Sequence, residues 1–350
     1  MSTIAKEVGL MVTLLGIESS CDETSVAVYQ SSSNQLNQLI YSQVSLHNQY
    51  GGVVPELASR SHLEIIATLT DQLLSKYSIK PCRIDAVAYT KGPGLIGPLL
   101  VGGSFARAYA QALEKPAIPI HHLEAHICVV LYEYPEIDFP FITLLVSGGH
   151  TMLVEACALG EYRILGQTLD DACGEAFDKA GKVMGLGYPA GSQISKLAQL
   201  GGPNKLIQLP IPLKHDKSLN YSFSGLKTSF MRSYTRHKEI VPLNDFCYAI
   251  EQSIVAHLIS RVKRLITQYD MPLIVAGGVA ANLCLRRKLM ALANQQSFRV
   301  VFPSIEYCTD NAAMVAFTAY LKLKARVALD HECNSKSYWP LDQLSCNSCS

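Results

Sequence analysis

His122 and His126 lie four residues apart in the stretch HHLEAH, residues 121–126. On a helix that spacing sets both imidazoles on one face, one turn apart, where they can share a metal ion. A zincin-type peptidase needs the order H-E-x-x-H, with the glutamate beside the first ligand so that it reaches the metal-bound water. Here the acid is Glu124, two residues from each histidine. Residues two apart on a helix point to different sides. The pair therefore stands as a candidate metal site without a peptidase base. Two solvated or capping histidines are the commoner reading of such a pair, and a third ligand would shift the balance.

Other stretches carry residue types that do chemistry. Asp310, in CTDNAAM, precedes the last apolar helical run and reads equally as a helix N-cap or as a third ligand. LLVSGGH reads as a Gly-Gly hairpin turn, which taken alone is most often an ordinary tight turn. GGVAAN, Gly277 to Asn282, is a strand–helix turn with an asparagine cap, and Asp178 in EAFDKAGK has Lys182 four residues on, as on a solvated helix face. SCDET places Asp22 and Glu23 in a charged turn.

The elements that must position these residues occur twice. VTLLGIESSCDETSVAVYQ reads as strand, polar turn, strand, and ITLLVSGGHTMLVEA repeats that order, with strands Ile142–Val146 and Thr151–Glu155. A third strand follows each, near Leu39–Val44 and Tyr162–Gln167. DAVAYTKGPGLIGPLLVGGSFARAYAQAL and PLIVAGGVAANLCLRRKLMALA both read as strand, Gly-rich turn, helix. Each half closes with one more strand and helix. Two βββαβα copies predict an α/β protein of two similar lobes around a cleft, with matching turns lining it. Lobes at 11–139 and 140–328 follow, with a last helix near 309–328 able to pack back on the first, and a tail at 329–350. Residues 169–268 have no counterpart in the first half and read as a mostly helical insertion in the second lobe.

Composition suits such an enzyme. The 350 residues are 49% hydrophobic and 17% charged with a formal net charge of +1, so the chain is neither disordered nor a bulk nucleic-acid binder. No run reaches the roughly 18 apolar residues a membrane helix needs. The eleven cysteines are odd in number and scattered, which predicts reduced thiols and a cytoplasmic protein; Cys346 and Cys349 of the CNSC tail read as free thiols.

LGIESSCDETSVAVY, YGGVVPELASRSH, AYTKGPGLIGPLLVG, HHLEAH, LLVSGGHT, DDACGEAFDKAGKVMGLGYPAG, FSGLKT, GGVAANLCLR and YCTDNAAM together resemble the TsaD family, in its bacterial and mitochondrial branch, from about Met11 to Leu341. The resemblance implies a duplicated actin-like ATPase fold (ribonuclease H-like). It implies transfer of a threonylcarbamoyl group from threonylcarbamoyl-AMP to N6 of the adenosine beside the anticodon of tRNA. It implies one iron(II) or zinc ion per chain on His122, His126 and Asp310. It gives the adenylate to Leu145, Val146, Ser147, Gly148, Gly149, Asp178, Gly191 and Asn282, and the reaction gives Glu23 or Asp22 the role of proton acceptor. With Asp310 counted in the second lobe, the metal would clasp the two lobes.

The implied partners are tRNA, a TsaB-like paralogue, a TsaE-like ATPase and a second copy of the chain, with no membrane. Basic runs at 232–238 and 286–288 are the candidate tRNA contacts. Three motif positions depart from the family pattern: YPAGS at Tyr188–Ser192, Ala280, and Lys91 for a small residue. Residues 1–10 precede the usual family start. An O-sialoglycoprotein endopeptidase-like metallopeptidase and an actin-fold small-molecule kinase are the rival readings. The kinase would hold magnesium through carboxylates and water rather than through a histidine pair.

Overall fold

Strands buried on both faces read as unbroken apolar runs, and the centre of each sheet here is such a run. β1 (Thr13–Glu18), β2 (Glu23–Gln30) and β3 (Gln35–Ser42) form an antiparallel meander. After the short helix α1 (Val44–Asn48) and the long α2 (Pro55–Lys76) come β4 (Ala86–Gly92), α3 (Ile96–Ala112), β5 (Ala117–His121), α4 (His122–Cys128) and α5 (Val130–Glu133). β4 pairs parallel with β1, and β5 with β4, giving the order β3-β2-β1-β4-β5.

The second half repeats this. β6 (Phe141–Val146), β7 (Thr151–Ala158) and β8 (Glu161–Gln167) form a meander, and β9 (Leu273–Ala276) and β10 (Val300–Val301) add in parallel, in the order β8-β7-β6-β9-β10. Between β8 and β9 lie α6 (Cys173–Val183), α7 (Gly191–Ala198), α8 (Ser224–His237) and α9 (Leu243–Leu265), the helices expected of the insertion. α10 (Leu283–Gln296) and α11 (Ala312–Lys324) complete the repeat. This computed structural model describes residues 11–327 and 334–347; the extension Met1–Leu10 and Cys349 of the tail's thiol pair fall outside them. No helix among the described residues is long and apolar enough to cross a membrane.

The chain forms two compact units whose membership crosses the repeat. One takes the described residues up to Gln43, Val53–Tyr132, and those from Asp310 onward; the other takes Val44–Gly52 and Glu133–Thr309. In the first unit, Leu15, Ile17, Val26 and Val28 of the sheet pack against Ile66, Leu69 and Leu73 of α2 and Ala106 and Ala110 of α3. In the second, Leu144, Leu153 and Val275 share a core with Phe177, Phe223, Phe230, Phe246 and Leu258 of the insertion.

Asp310 and α11 therefore belong with the first sheet, which corrects the expectation that Asp310 comes from the opposite lobe and that the metal joins two lobes. The physical reason lies in α11. It is apolar nearly all round, with residues 312–319 buried, and Ala316 and Phe317 pack on Tyr29 of β2. β1 meets it at Gly16, where a Cβ would stand 2.5 Å from the Ala312 carbonyl oxygen and 2.9 Å from the Ala316 Cβ. Only a glycine lets helix and strand approach so closely. Gly16→Ala is expected to cost about 1–3 kcal/mol in urea unfolding, and to weaken metal binding by shifting Asp310.

Candidate metal centre and phosphate-binding turn

β5 ends at His121 and runs directly into α4, so His122 and His126 leave the sheet edge on the first and second turns of one short helix. Both are buried, and their rings stand edge to face with centroids 4.8 Å apart. The Nε2 atoms of His122 and His126 lie 3.5 and 3.0 Å from the same oxygen, Oδ1 of Asp310. One ligand atom from each of the three side chains falls within 4.8 Å of the others. The N-cap of α11 is Asn311, whose side chain accepts a hydrogen bond from the Met314 amide at 2.9 Å. Capping is thus done by the neighbour, and Asp310 faces the histidines.

The sequence reading missed Glu18, the last residue of β1. It is fully buried, and its Oε2 lies 3.1 Å from His122 Nδ1 and accepts from the Thr90 hydroxyl at 2.5 Å. Its Oε1 accepts from the Ser20 amide. With Nδ1 engaged, His122 turns Nε2 toward Asp310, the arrangement by which a carboxylate orients a metal-ligating histidine. Burial alone would lower the His122 pKa, but the charges of Asp310 and Glu18 outweigh it and hold it at about 9. The only signal in the sequence was an acid closing an apolar strand, TLLGIE, which also reads as the start of a polar turn.

Glu124 points elsewhere, as its spacing predicted. It is fully buried and its Oε2 lies 2.7 Å from Lys322 Nζ on α11. This ion pair ties the helix that carries both histidines to the helix that follows Asp310. Two imidazoles and one carboxylate fit zinc with an open position or non-haem iron(II).

Asp22 ends the turn between β1 and β2, and Glu23 opens β2. His62 of α2, fully buried, holds that turn from behind: Nε2 donates to the Cys21 carbonyl at 3.0 Å and Nδ1 accepts from the Thr24 hydroxyl at 2.7 Å. Burial raises the Glu23 pKa well above the ordinary carboxylate range, and the charges of Asp22 and Asp310 push it further.

The residues expected to meet an adenylate lie in the second unit. The Ser147 amide donates to the His150 carbonyl and the Ser147 hydroxyl accepts from the His150 amide, closing the β6–β7 turn. Gly148 and Gly149 are exposed, and a Cβ at either would meet nothing within 4 Å. The side chains of Leu145 and Val146 are buried, which leaves only their backbone for a ligand. Two glycines back this turn: a Cβ at Gly174 would stand 2.6 Å from the Ser147 carbonyl oxygen, and one at Gly277, at φ +91°, would stand 2.5 Å from that of Val146.

Four residues along α6 from Gly174, Asp178 Oδ1 accepts from the Ala190 amide at 2.7 Å, which sets Gly191 at the start of α7. Ala190 replaces the usual glycine of the motif without a clash because its methyl faces Gly181, where any Cβ would collide with it. Asn282 caps α10 through Oδ1 and donates from Nδ2 to Glu251 at 2.8 Å. Its side chain is thus first a structural brace.

Two βββαβα repeats give the chain an actin-like ATPase fold, and its His-His-Asp group is compatible with a metal ion. Component A of (R)-2-hydroxyglutaryl-CoA dehydratase from Acidaminococcus fermentans has this fold, at TM-score 0.55 and 12% identity, covering 89% of this chain and 99% of that one. The family model for tRNA N6-adenosine threonylcarbamoyltransferase, TsaD, matches residues 34–317. A relative of that name from Legionella pneumophila strain Lens is 49% identical over 89% of this chain and 93% of its own length. Another from Herminiimonas arsenicoxydans is 45% identical over 95% and 98%. The chain belongs to the TsaD family.

Three substitutions test the centre by elemental analysis and urea unfolding. His126→Ala is expected to lose most of its metal, because two remaining ligands cannot complete the site. Glu18→Gln keeps the ligands but is expected to bind metal roughly 10- to 100-fold more weakly. Glu124→Gln is expected to keep its metal while losing about 3 kcal/mol of stability, because Lys322 is left buried without a counter-charge. Metal loss in Glu124→Gln alone would reverse the assignment.

Proposed function

We propose that the chain transfers the threonylcarbamoyl group from threonylcarbamoyl-AMP to N6 of the adenosine next to the anticodon in tRNAs reading codons that begin with A, releasing AMP. The match to the TsaD family over 34–317 carries this reading. Threonylcarbamoyl-AMP is a mixed anhydride and already activated. The adenine amine is a poor nucleophile because its lone pair is delocalised into the ring. The chain must therefore position the two, stabilise charge and accept a proton.

The amides of Gly148 and Gly149 hold the phosphate, since that of Ser147 is spent on the His150 carbonyl, with Asp178, Gly191 and Asn282 at the ribose and base. N6 attacks the carbamoyl carbon, the bond from that carbon to the phosphate oxygen breaks, and AMP leaves with the electron pair. The N6 proton passes to Glu23 or Asp22, and the raised pKa of Glu23 makes its carboxylate a stronger base than an exposed glutamate. When bound at His122, His126 and Asp310, an iron(II) or zinc ion supplies Lewis-acid polarisation.

The peptidase reading loses support because Glu124 is spent on Lys322. A TsaB-like paralogue, a TsaE-like ATPase, self-association and a cytoplasmic location complete the proposal. For tRNA, the exposed Arg232 and Arg236 of α8 are the better contact. Arg286 is occupied by the Ala280 and Pro303 carbonyls and by the Phe302 ring.

The test is a transfer assay with purified adenylate, tRNA and the two partners. Glu23→Gln or Asp22→Asn is expected to slow transfer by about 100-fold or more with the metal retained. Wild-type rates in both would remove the turn from the mechanism, and peptide hydrolysis without transfer would remove the function.

A further inference from the structure

His121, the first histidine of HHLEAH, is not among the presumed metal ligands, yet it is 1% exposed and both ring nitrogens are engaged. Nδ1 faces the amides of Leu123 and Glu124 at 3.1 and 3.4 Å, and so caps α4. An Nδ1 that accepts leaves the proton on Nε2, which lies 2.9 Å from the carbonyl oxygen of Trp339 and donates to it. One imidazole thus joins the start of the metal helix to a segment 218 residues further along the chain.

That segment is built onto the first unit. The Lys336 amide donates to the Lys91 carbonyl at 2.9 Å, and the Gly94 amide donates to the Ser337 carbonyl at 3.2 Å. Gly92 makes room for it, since a Cβ there would stand 2.0 Å from the Lys336 carbonyl oxygen. The Trp339 ring is buried, 4.7 Å from the His121 ring between centroids, with the ammonium groups of Lys91 and Lys336 at 5.6 and 4.8 Å. Lys91, the departure from the family pattern, is itself fully buried beneath this strap. α4 has seven residues, too few to hold a helix by propensity alone, so its direction depends on its cap and its packing.

We infer that His121 and Trp339 are positioning residues for the metal centre: the docked segment 336–339 fixes His121, and His121 aims α4 and its two histidines. The inference rests on the reading of His122, His126 and Asp310 as metal ligands. It assigns a task to the end of the chain and to the one histidine of the motif left without a role.

The probe is cobalt(II), added to the full-length protein and to its variants. Its affinity is read by competition with a chelator, and its geometry by the visible ligand-field spectrum. Trp339→Ala frees the strap. His121→Asn keeps a side-chain cap for α4 but is too short to reach the Trp339 carbonyl. Both are expected to bind cobalt about 10-fold more weakly with a shifted spectrum, as when a ligand-orienting contact is lost. Their far-UV circular dichroism should be native.

The double variant should be no weaker than either single one, because both cut the same link. Tyr338→Ala, on the exposed side of the strap, should match wild type in both readouts. Faster hydrogen exchange at the Leu123 and Glu124 amides of Trp339→Ala reports the loss of seating without any metal. Wild-type affinity and spectrum in Trp339→Ala and His121→Asn overturn the inference while leaving the metal centre standing. A wild-type protein that binds no cobalt overturns the metal reading itself and the inference with it.

Discussion

The grouping of His122, His126 and Asp310 depends on how closely α11 lies on β1. Helix backbone and strand backbone approach within the space of a missing methyl at Gly16, and the Ala312 amide donates to the Ser25 hydroxyl at 2.9 Å as the helix begins. That contact brings Asp310 to histidines 184 and 188 positions earlier, a separation that local propensity cannot specify. The remaining contacts refine the placement. Glu18 turns one imidazole, Asn311 relieves Asp310 of capping, and the Glu124–Lys322 pair fixes one helix against the other. A buried ion pair is costly to desolvate and contributes little net stability, so its value here is in register.

Much of the fold was legible because the duplication is written in periodicity. Apolar runs broken by SCDET and SGGH gave both hairpins. The helical character of residues 169–268 was also legible, and α6 to α9 fill that stretch. Membership of the units was not legible. An all-round apolar helix such as α11 shows that it is buried but not by which sheet. The same holds for Val44–Gly52, which joins the second unit, where Asn48 accepts from the Tyr188 amide at 2.9 Å.

At the site, the types and spacing of His122, Glu124 and His126 were enough to separate ligand faces from the opposite side. For Asp310 the sequence left capping and ligation open, and the place of Asn311 at the N-cap removes the first. Glu18 and His121 escaped because their partners are distant: Thr90 and His122 for one, Trp339 for the other. A residue whose work is to orient a ligand carries no motif of its own. In the second unit the reverse holds. Glycines at 148, 149, 174 and 277 mark the turn plainly, whereas Asn282 and Asp178 brace α10 and the Ala190–Gly191 corner, duties that their place in a motif does not reveal.

The first unit is assembled from the early and late parts of the chain, and this sets an order in time during synthesis. His122 and His126 leave the ribosome 184 or more residues before Asp310. At about 5–20 residues per second, that is a wait of roughly ten to forty seconds. For that interval the nascent chain carries an imidazole pair with no carboxylate and a β1 strand with its Gly16 groove uncovered, while the whole second unit emerges and can fold on its own contacts. The three side chains can therefore come together only after residue 310 has emerged, and a chain stalled before it would expose the pair and the groove together.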